Sequence, residues 1–206
     1  MEFFRRAPRS PRRLGIFPGT FNPLTVAHLA LAEAALTLVD EVVFVLPRQF
    51  PHKIYSGASF GERVELLSKA LEPYPQCTIA TCEGGLFVEV AAACREAYGE
   101  EVRLSFLCGR DAAERIAAWD YGKPNAFEEM LIAFDLLVAA RSGEYSPPAG
   151  LEARCVPLAL NGPYDHVSAT EVRERVAAGT EWEHLVPAPI RRRVYEIYTP
   201  GRKRQQ

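Results

Sequence analysis

From Leu14 to Tyr198, short apolar runs alternate with longer stretches of helical spacing, a pattern that predicts parallel strands joined by crossover helices. Leu14-Gly15-Ile16-Phe17 is an apolar run stopped by Pro18-Gly19 and reads as a first strand. Thr25 to Leu38 has helical spacing and an Ala-rich composition, and Glu41 to Leu46 is a β-branched run suited to a buried second strand. Arg48 to Gly61 is loop by its Pro, His, Ser and Gly content. The rest predicts helices over Glu62 to Leu71 and Phe87 to Tyr98, and strands over Thr78 to Thr81 and Val102 to Cys108. Gly109-Arg110-Asp111 opens a helix running to about Trp119, and Gly122-Lys123-Pro124-Asn125 is a loop. Phe134 to Ala139 and Ala153 to Leu158 read as strands, and Ser168 to Ala178 and Pro189 to Tyr198 as closing helices.

The predicted fold is α/β, a Rossmann-like, doubly wound parallel sheet with C-terminal helices and its site outside the carboxyl ends of the strands. Three polar clusters directly follow predicted strands: residues 18–28, 47–53 and 109–111. Such a sheet brings all three to one crevice. No internal repeat or linker divides residues 14–199. Residues 1–13 carry Arg5, Arg6, Arg9, Arg12 and Arg13 among prolines, and residues 200–206 end in Arg202-Lys203-Arg204. Both are expected to be solvated basic tails, because neither has an apolar face to order it.

Composition narrows the class further. With 206 residues, 48% of them hydrophobic, the chain can bury a full core, and a formal charge of −2 gives no global footprint for a nucleic-acid partner. The opening residues are too polar for a signal peptide and no run approaches a membrane span, so a cytoplasmic protein without a membrane partner is expected. The composition leaves homo-oligomer formation open. Cys77, Cys82, Cys94, Cys108 and Cys155 form no CxxC pair and have no His at metal spacing, which predicts buried free thiols and no protein metal site.

The densest candidate chemistry lies in residues 18–28. Gly19 lets the backbone turn tightly and approach a ligand without a side chain in the way. Thr25 can cap the helix that follows, whose N-terminus offers free N–H groups and positive dipole to an anion. His28, three residues on, shares the Thr25 face, where a cationic or donor imidazole suits phosphate oxygens. A surface histidine after an ordinary Gly-Thr turn is the competing reading. The segment is neither a P-loop nor a GxGxxG fingerprint, since it lacks Gly-Lys-Ser/Thr and the glycine triplet.

Gly15 to His28 resembles the opening motif of the HxGH nucleotidyltransferase superfamily, and Val167-Ser168-Ala169-Thr170-Glu171-Val172-Arg173 is similar to its second signature, Ile-Ser-Ser-Thr-x-x-Arg. The resemblance implies that Gly19, Thr20, Phe21, Thr25 and His28 hold the phosphates of ATP or CTP, and that Ser168, Thr170 and Arg173 contact the triphosphate. Taken by itself, Ser168 to Glu171 is also a plain capping box. Further segments resemble the nicotinate-nucleotide adenylyltransferases: Pro51-His52-Lys53, then Glu62-Arg63, and Gly109-Arg110-Asp111 with Trp119. The resemblance implies that Lys53 approaches phosphate, Gly109 and Asp111 contact the adenosine portion, and Trp119 packs on the nicotinate ring. Read as isolated residues, Lys53 is a solvated lysine, Asp111 a helix cap, Trp119 a core aromatic and Arg63 a surface residue. The chain departs from that family at Thr25 (His), Ala27 (Gly), Ala169 (Ser) and Gly85 to Ala91, where the family has Ser-Tyr-Thr-x-x-Thr-Leu.

The implied reaction joins the 5′-phosphate of nicotinate or nicotinamide mononucleotide to the α-phosphorus of ATP and releases pyrophosphate. It needs no general base, only alignment of two anions and compensation of leaving-group charge, for which His28, Arg173 and Lys53 are the catalytic candidates. Mg²⁺ is expected to accompany ATP, held by substrate oxygens and water. Two alternatives stand beside this one: transfer to another phosphorylated small-molecule acceptor, such as phosphopantetheine or a sugar phosphate, and nucleotide binding without catalysis.

Overall fold

A computed structural model describes residues 1–48, 57–118, 122, 125–139 and 145–201. Seven strands form one sheet: β1 (Glu2–Arg5), β2 (Arg13–Pro18), β3 (Glu41–Val45), β4 (Cys77–Thr81), β5 (Arg103–Gly109), β6 (Asp135–Ala139) and β7 (Cys155–Leu158). Their order is β1-β4-β3-β2-β5-β6-β7, with β2 to β7 mutually parallel and β1 antiparallel to β4. The chain therefore steps outward from β2 through β3 to β4, returns to lay β5 beside β2, and steps outward the other way. The order reverses between β2 and β5. In an open α/β sheet, the crevice above that reversal, at the carboxyl ends of the strands, is where ligands bind.

Helices cover both faces: α1 (Val26–Ala35), α2 (Phe60–Ala70), α3 (Phe87–Tyr98), α4 (Arg110–Ala117), α5 (Ala126–Ala133), α6 (Ala169–Ala178) and α7 (Arg191–Tyr198). Alternate strand residues feed two cores. Phe17, Val42 and Phe44 pack with Leu31, Leu66, Leu67, Val172 and Val194 from α1, α2, α6 and α7. Ile16, Val43 and Val45 pack with Val90, Cys94, Ala113 and Leu131 from α3, α4 and α5. This period-2 division explains why β2, β3 and β5 read as continuous apolar runs, for both of their faces are buried. All five cysteines are free and buried, as expected. Among the described residues, no helix is long and apolar enough to cross a membrane.

The N-terminal segment corrects the expectation of a solvated tail over residues 1–13. Phe3 packs edge-on against Tyr98 at 5.9 Å, and the Arg6 guanidinium lies 4.6 Å from the Phe3 ring and 5.1 Å from the Tyr98 ring. Arg5 donates to the carbonyls of Leu71 and Tyr74, just past the C-terminal end of α2. Arg12 and Arg13 give their backbone N–H groups to Asp40, whose carboxyl the Arg13 guanidinium holds below the usual carboxylate range. Arg5 thus satisfies carbonyls and Arg13 a carboxylate, while Arg6, Arg9, Arg12 and Arg13 stay exposed; what the expectation missed is that the segment is ordered, with β1 closing the β4 edge. The basic stretch 202–206 lies outside the described residues. The short helix α5 also escaped the sequence reading.

Candidate functional site

The segment after β2 turns sharply above the sheet. The Gly19 N–H donates to the Val45 carbonyl at 3.0 Å, so the turn leaves β2 still attached to β3. A Cβ at position 19 would lie 2.8 Å from the Phe21 ring, so the path needs glycine. Phe21 has φ +44°, a left-handed conformation that L side chains rarely adopt. Burial compensates for it: the ring is 1% exposed and sits 5.3 Å from Phe17 and Phe44 and 5.4 Å from His28.

Thr25 then caps α1. Its hydroxyl accepts the His28 N–H at 3.4 Å, and the His28 ring returns the interaction, its Nδ1 lying 3.0 Å from the Thr25 N and 2.8 Å from Oγ1. A ring nitrogen that accepts a backbone N–H carries no proton of its own. With the Thr25 N–H donating to Nδ1, the ring is oriented to donate from Nε2. Thr25 itself is fully buried. The residue that takes the place of a histidine in the similar motif is thus a capping residue that orients the second histidine.

The far end of the chain reaches the same turn. In α6, Arg173 donates from Nη1 to the Asn22 carbonyl at 2.7 Å, across 151 residues, and from Nη2 to Thr170 Oγ1 at 3.1 Å. Ser168 Oγ accepts the Glu171 N–H at 3.1 Å and caps α6, one half of the capping box read from the sequence, while the Glu171 carboxylate accepts from Arg175. Ser168 and Thr170 both remain exposed on the first turn of α6.

On β5, next to β2, Gly109 ends the strand and stands as N-cap of α4 without a side-chain cap. Asp111 is exposed in the first turn of α4 and lines an open depression with Glu114, Arg115 and Ala118. The turns carrying Gly19 and Gly109 thus leave the carboxyl ends of the adjacent strands β2 and β5. Lys53 and Trp119 lie outside the described residues. At the departing segment near Gly85, Leu86 is the exposed N-cap residue of α3 and accepts a hydrogen bond at no side-chain oxygen, having none; Glu89 receives its N–H instead at 2.9 Å.

Three residues at the turn were missed by the sequence reading. Arg63, expected at the surface, is 5% exposed and donates from Nη1 to the Thr20 carbonyl at 2.9 Å. Asn22 is 6% exposed, and its Oδ1 accepts the Ala58 N–H at 3.1 Å and the Tyr198 hydroxyl from α7. Burial pushes the Tyr198 phenol far above its usual range, which keeps it a donor. Arg63 had a legible signal: it shares the i, i+3, i+4, i+7 face of α2 with Leu66, Leu67 and Ala70.

Above the turn, then, the polar equipment consists of N–H groups, an imidazole donor, hydroxyls and a guanidinium. That is a donor set for an anion. Among the described residues, no group of three or more His, Cys, Asp or Glu side chains is placed to hold a metal ion.

Known proteins are similar along most of the chain. Residues 16–175 match the family described as Cytidylyltransferase-like. A "Probable nicotinate-nucleotide adenylyltransferase" of Treponema pallidum (strain Nichols) is 30% identical over 198 residues, covering 87% of this chain and 94% of that protein. A protein of the same name from Moorella thermoacetica is 29% identical over 195 residues, covering 87% and 88%. The nicotinic acid mononucleotide adenylyltransferase of Plasmodium falciparum, solved in complex with NaAD, shares the fold with a TM-score of 0.64 at 16% identity, over 86% of this chain and 92% of that one.

Proposed function

This chain belongs to the cytidylyltransferase-like family, and from that premise we propose that it is an adenylyltransferase joining the AMP moiety of ATP to the 5′-phosphate of nicotinate mononucleotide, as in NAD biosynthesis. The observation that carries this reading is the 2.7 Å hydrogen bond from Arg173 to the Asn22 carbonyl, which joins the two segments that resemble nucleotidyltransferase signatures and supports reading them as one site.

An oxygen of the acceptor phosphate attacks the α-phosphorus of ATP, the bond from that phosphorus to the bridging oxygen breaks, and pyrophosphate leaves with the bond's electron pair. The attacking phosphate is ionised at neutral pH, so no side chain has to remove a proton. The barrier lies in bringing two anions together in line and in the charge gathered on the leaving pyrophosphate. His28 Nε2–H is the donor to the triphosphate, oriented by the Thr25 N–H. Arg173 supplies the guanidinium, with Ser168 and Thr170 beside it and the start of α1 below. Gly19, Thr20 and Phe21 form the backbone cradle, and Gly109 and Asp111 receive the adenosine portion from β5. Lys53 and Trp119 serve the acceptor phosphate and the pyridine ring. Mg²⁺ arrives bound to the triphosphate of ATP, since the turn offers donors rather than carboxylates. A cytoplasmic location fits this reading, with no helix among the described residues long and apolar enough to cross a membrane.

The test is pyrophosphate release from MgATP by the purified chain with nicotinate mononucleotide, nicotinamide mononucleotide, phosphopantetheine and a sugar phosphate as acceptors. Release dependent on nicotinate mononucleotide is expected. Release with phosphopantetheine or the sugar phosphate only would reassign the acceptor, and ATP binding without release would remove the catalytic reading.

A further inference from the structure

A charged residue on the buried stripe of α2 needs a reason to be there. An arginine keeps its charge in any protein environment, and a guanidinium withdrawn from water is costly unless its donors are engaged. Arg63 is engaged with the Thr20 carbonyl at 2.9 Å, and its Cζ lies 5.5 Å from the Phe60 ring.

That contact has a directional effect. The Thr20–Phe21 peptide is trans, so its C=O and N–H point in opposite directions. With the oxygen drawn to Arg63, the Phe21 N–H faces away from α2. On the other side of Phe21, Arg173 draws the Asn22 carbonyl at 2.7 Å. Two guanidiniums thus take the carbonyls of the residues on either side of Phe21, Thr20 and Asn22. Phe21 itself has φ +44°, the kind of local reversal that gathers N–H groups into a concave anion cradle. Carbonyl oxygens would repel a phosphate; here those of Thr20 and Asn22 are occupied by cations.

We propose that Arg63 is a positioning residue of the anion turn, which by holding the Thr20 carbonyl aims the Phe21 N–H at the phosphate oxygens. The proposal rests on the nucleotidyl-transfer reading for the identity of the anion, and it does not depend on the acceptor. Arg63 is buried and bonded to the turn, so its substitution is expected to act on phosphate binding before it acts on the acceptor end.

The experiment compares the wild-type chain with Arg63→Lys and Arg63→Met. Folding is checked by cooperative thermal unfolding, affinity for inorganic tripolyphosphate by calorimetry, and KM for ATP and for nicotinate mononucleotide by pyrophosphate release. Arg63→Met is expected to weaken tripolyphosphate binding by about tenfold, the scale of one lost charge-assisted hydrogen bond, and to raise KM for ATP similarly, with KM for the acceptor within about twofold. Arg63→Lys keeps the charge and loses the fork, so about a threefold or larger rise in KM for ATP is expected of it. If Arg63→Met does not fold, Arg63→Lys decides. Tripolyphosphate affinity at the wild-type level in either folded variant overturns the proposal, as does a lower kcat with both KM values unchanged, which signals only a smaller active fraction. If the wild-type chain binds tripolyphosphate but forms no dinucleotide, the transfer reading fails while the binding series still tests Arg63.

Discussion

The backbone N–H of Thr25 donates to Nδ1 of His28 at 3.0 Å, and this one bond decides which end of the imidazole faces the ligand. Because the bond comes from the main chain, it survives changes of the Thr25 side chain. His28→Ala removes the Nε2 donor and is expected to lower kcat by about 10²- to 10³-fold, the range for losing one preorganised donor. Thr25→Val keeps the backbone bond and loses the cap hydroxyl. It should cost about 1 kcal/mol of stability, visible as a Tm lower by roughly 2–4 °C, with a far smaller loss of kcat than His28→Ala. Pyrophosphate release and thermal unfolding of both variants check this; equal losses of kcat would contradict it.

Arg173 uses two donors in two directions, one to the Asn22 carbonyl and one to Thr170. A lysine cannot reproduce that fork. Arg173→Lys is expected to lower kcat/KM for ATP by about tenfold and Arg173→Ala by about a hundredfold or more. Steady-state kinetics decide, and near-normal turnover in both His28→Ala and Arg173→Ala would sink the assignment of the site.

Ala27 stands where the similar motif has glycine, and the structure shows its methyl group 1% exposed within the core beneath α1. The site accepts the extra carbon. Ala27→Gly is therefore expected to destabilise by about 1 kcal/mol or more, through helix propensity and lost burial, with kcat unchanged. Chemical denaturation reads the first quantity and pyrophosphate release the second; a gain in kcat would show that the methyl obstructs the turn.

At the opposite end of the sheet, Glu41 is 2% exposed, and its Oε1 accepts from Thr78 Oγ1 at 2.6 Å and from the Tyr98 hydroxyl. Burial raises its carboxyl above the ordinary value of 4.5, partly offset by those two hydrogen bonds and by the charge of Arg6. The folded state thus holds the proton more tightly than the unfolded chain does. The stability this contributes is fully present below the unfolded pKa and is lost as pH rises through the folded one. Glu41→Gln cannot ionise, so its Tm should fall less than that of the wild type as pH rises from 4.5. Parallel Tm profiles from pH 4.5 upward would contradict this.

Much of the fold was legible because β2, β3 and β5 are buried on both faces and announce themselves as apolar runs, and because Pro18-Gly19 marks the exit from β2. The first strand was not. Arg5 and Arg6 read as solvated charges, and the carbonyls that Arg5 satisfies lie 66 and 69 residues away. Helix α5 was missed although Phe127, Met130 and Leu131 keep i, i+3, i+4 spacing, because Leu131 to Ala133 run on into the apolar residues of β6 without a turn signal between them. At the site, the two segments could be read separately, and the pairing of Arg173 with Asn22 could not, since 151 residues separate them. Arg63 was misread because charge suggested the surface, although its spacing from Leu66, Leu67 and Ala70 already set it on the buried face.

The product of the reaction is the most direct test of adenylyl transfer. Purified chain incubated with MgATP and nicotinate mononucleotide, with the mixture resolved by chromatography and mass spectrometry, should yield the adenine dinucleotide of nicotinate and pyrophosphate in equal amounts. Pyrophosphate without the dinucleotide, or neither product from a folded chain that binds ATP, would contradict it.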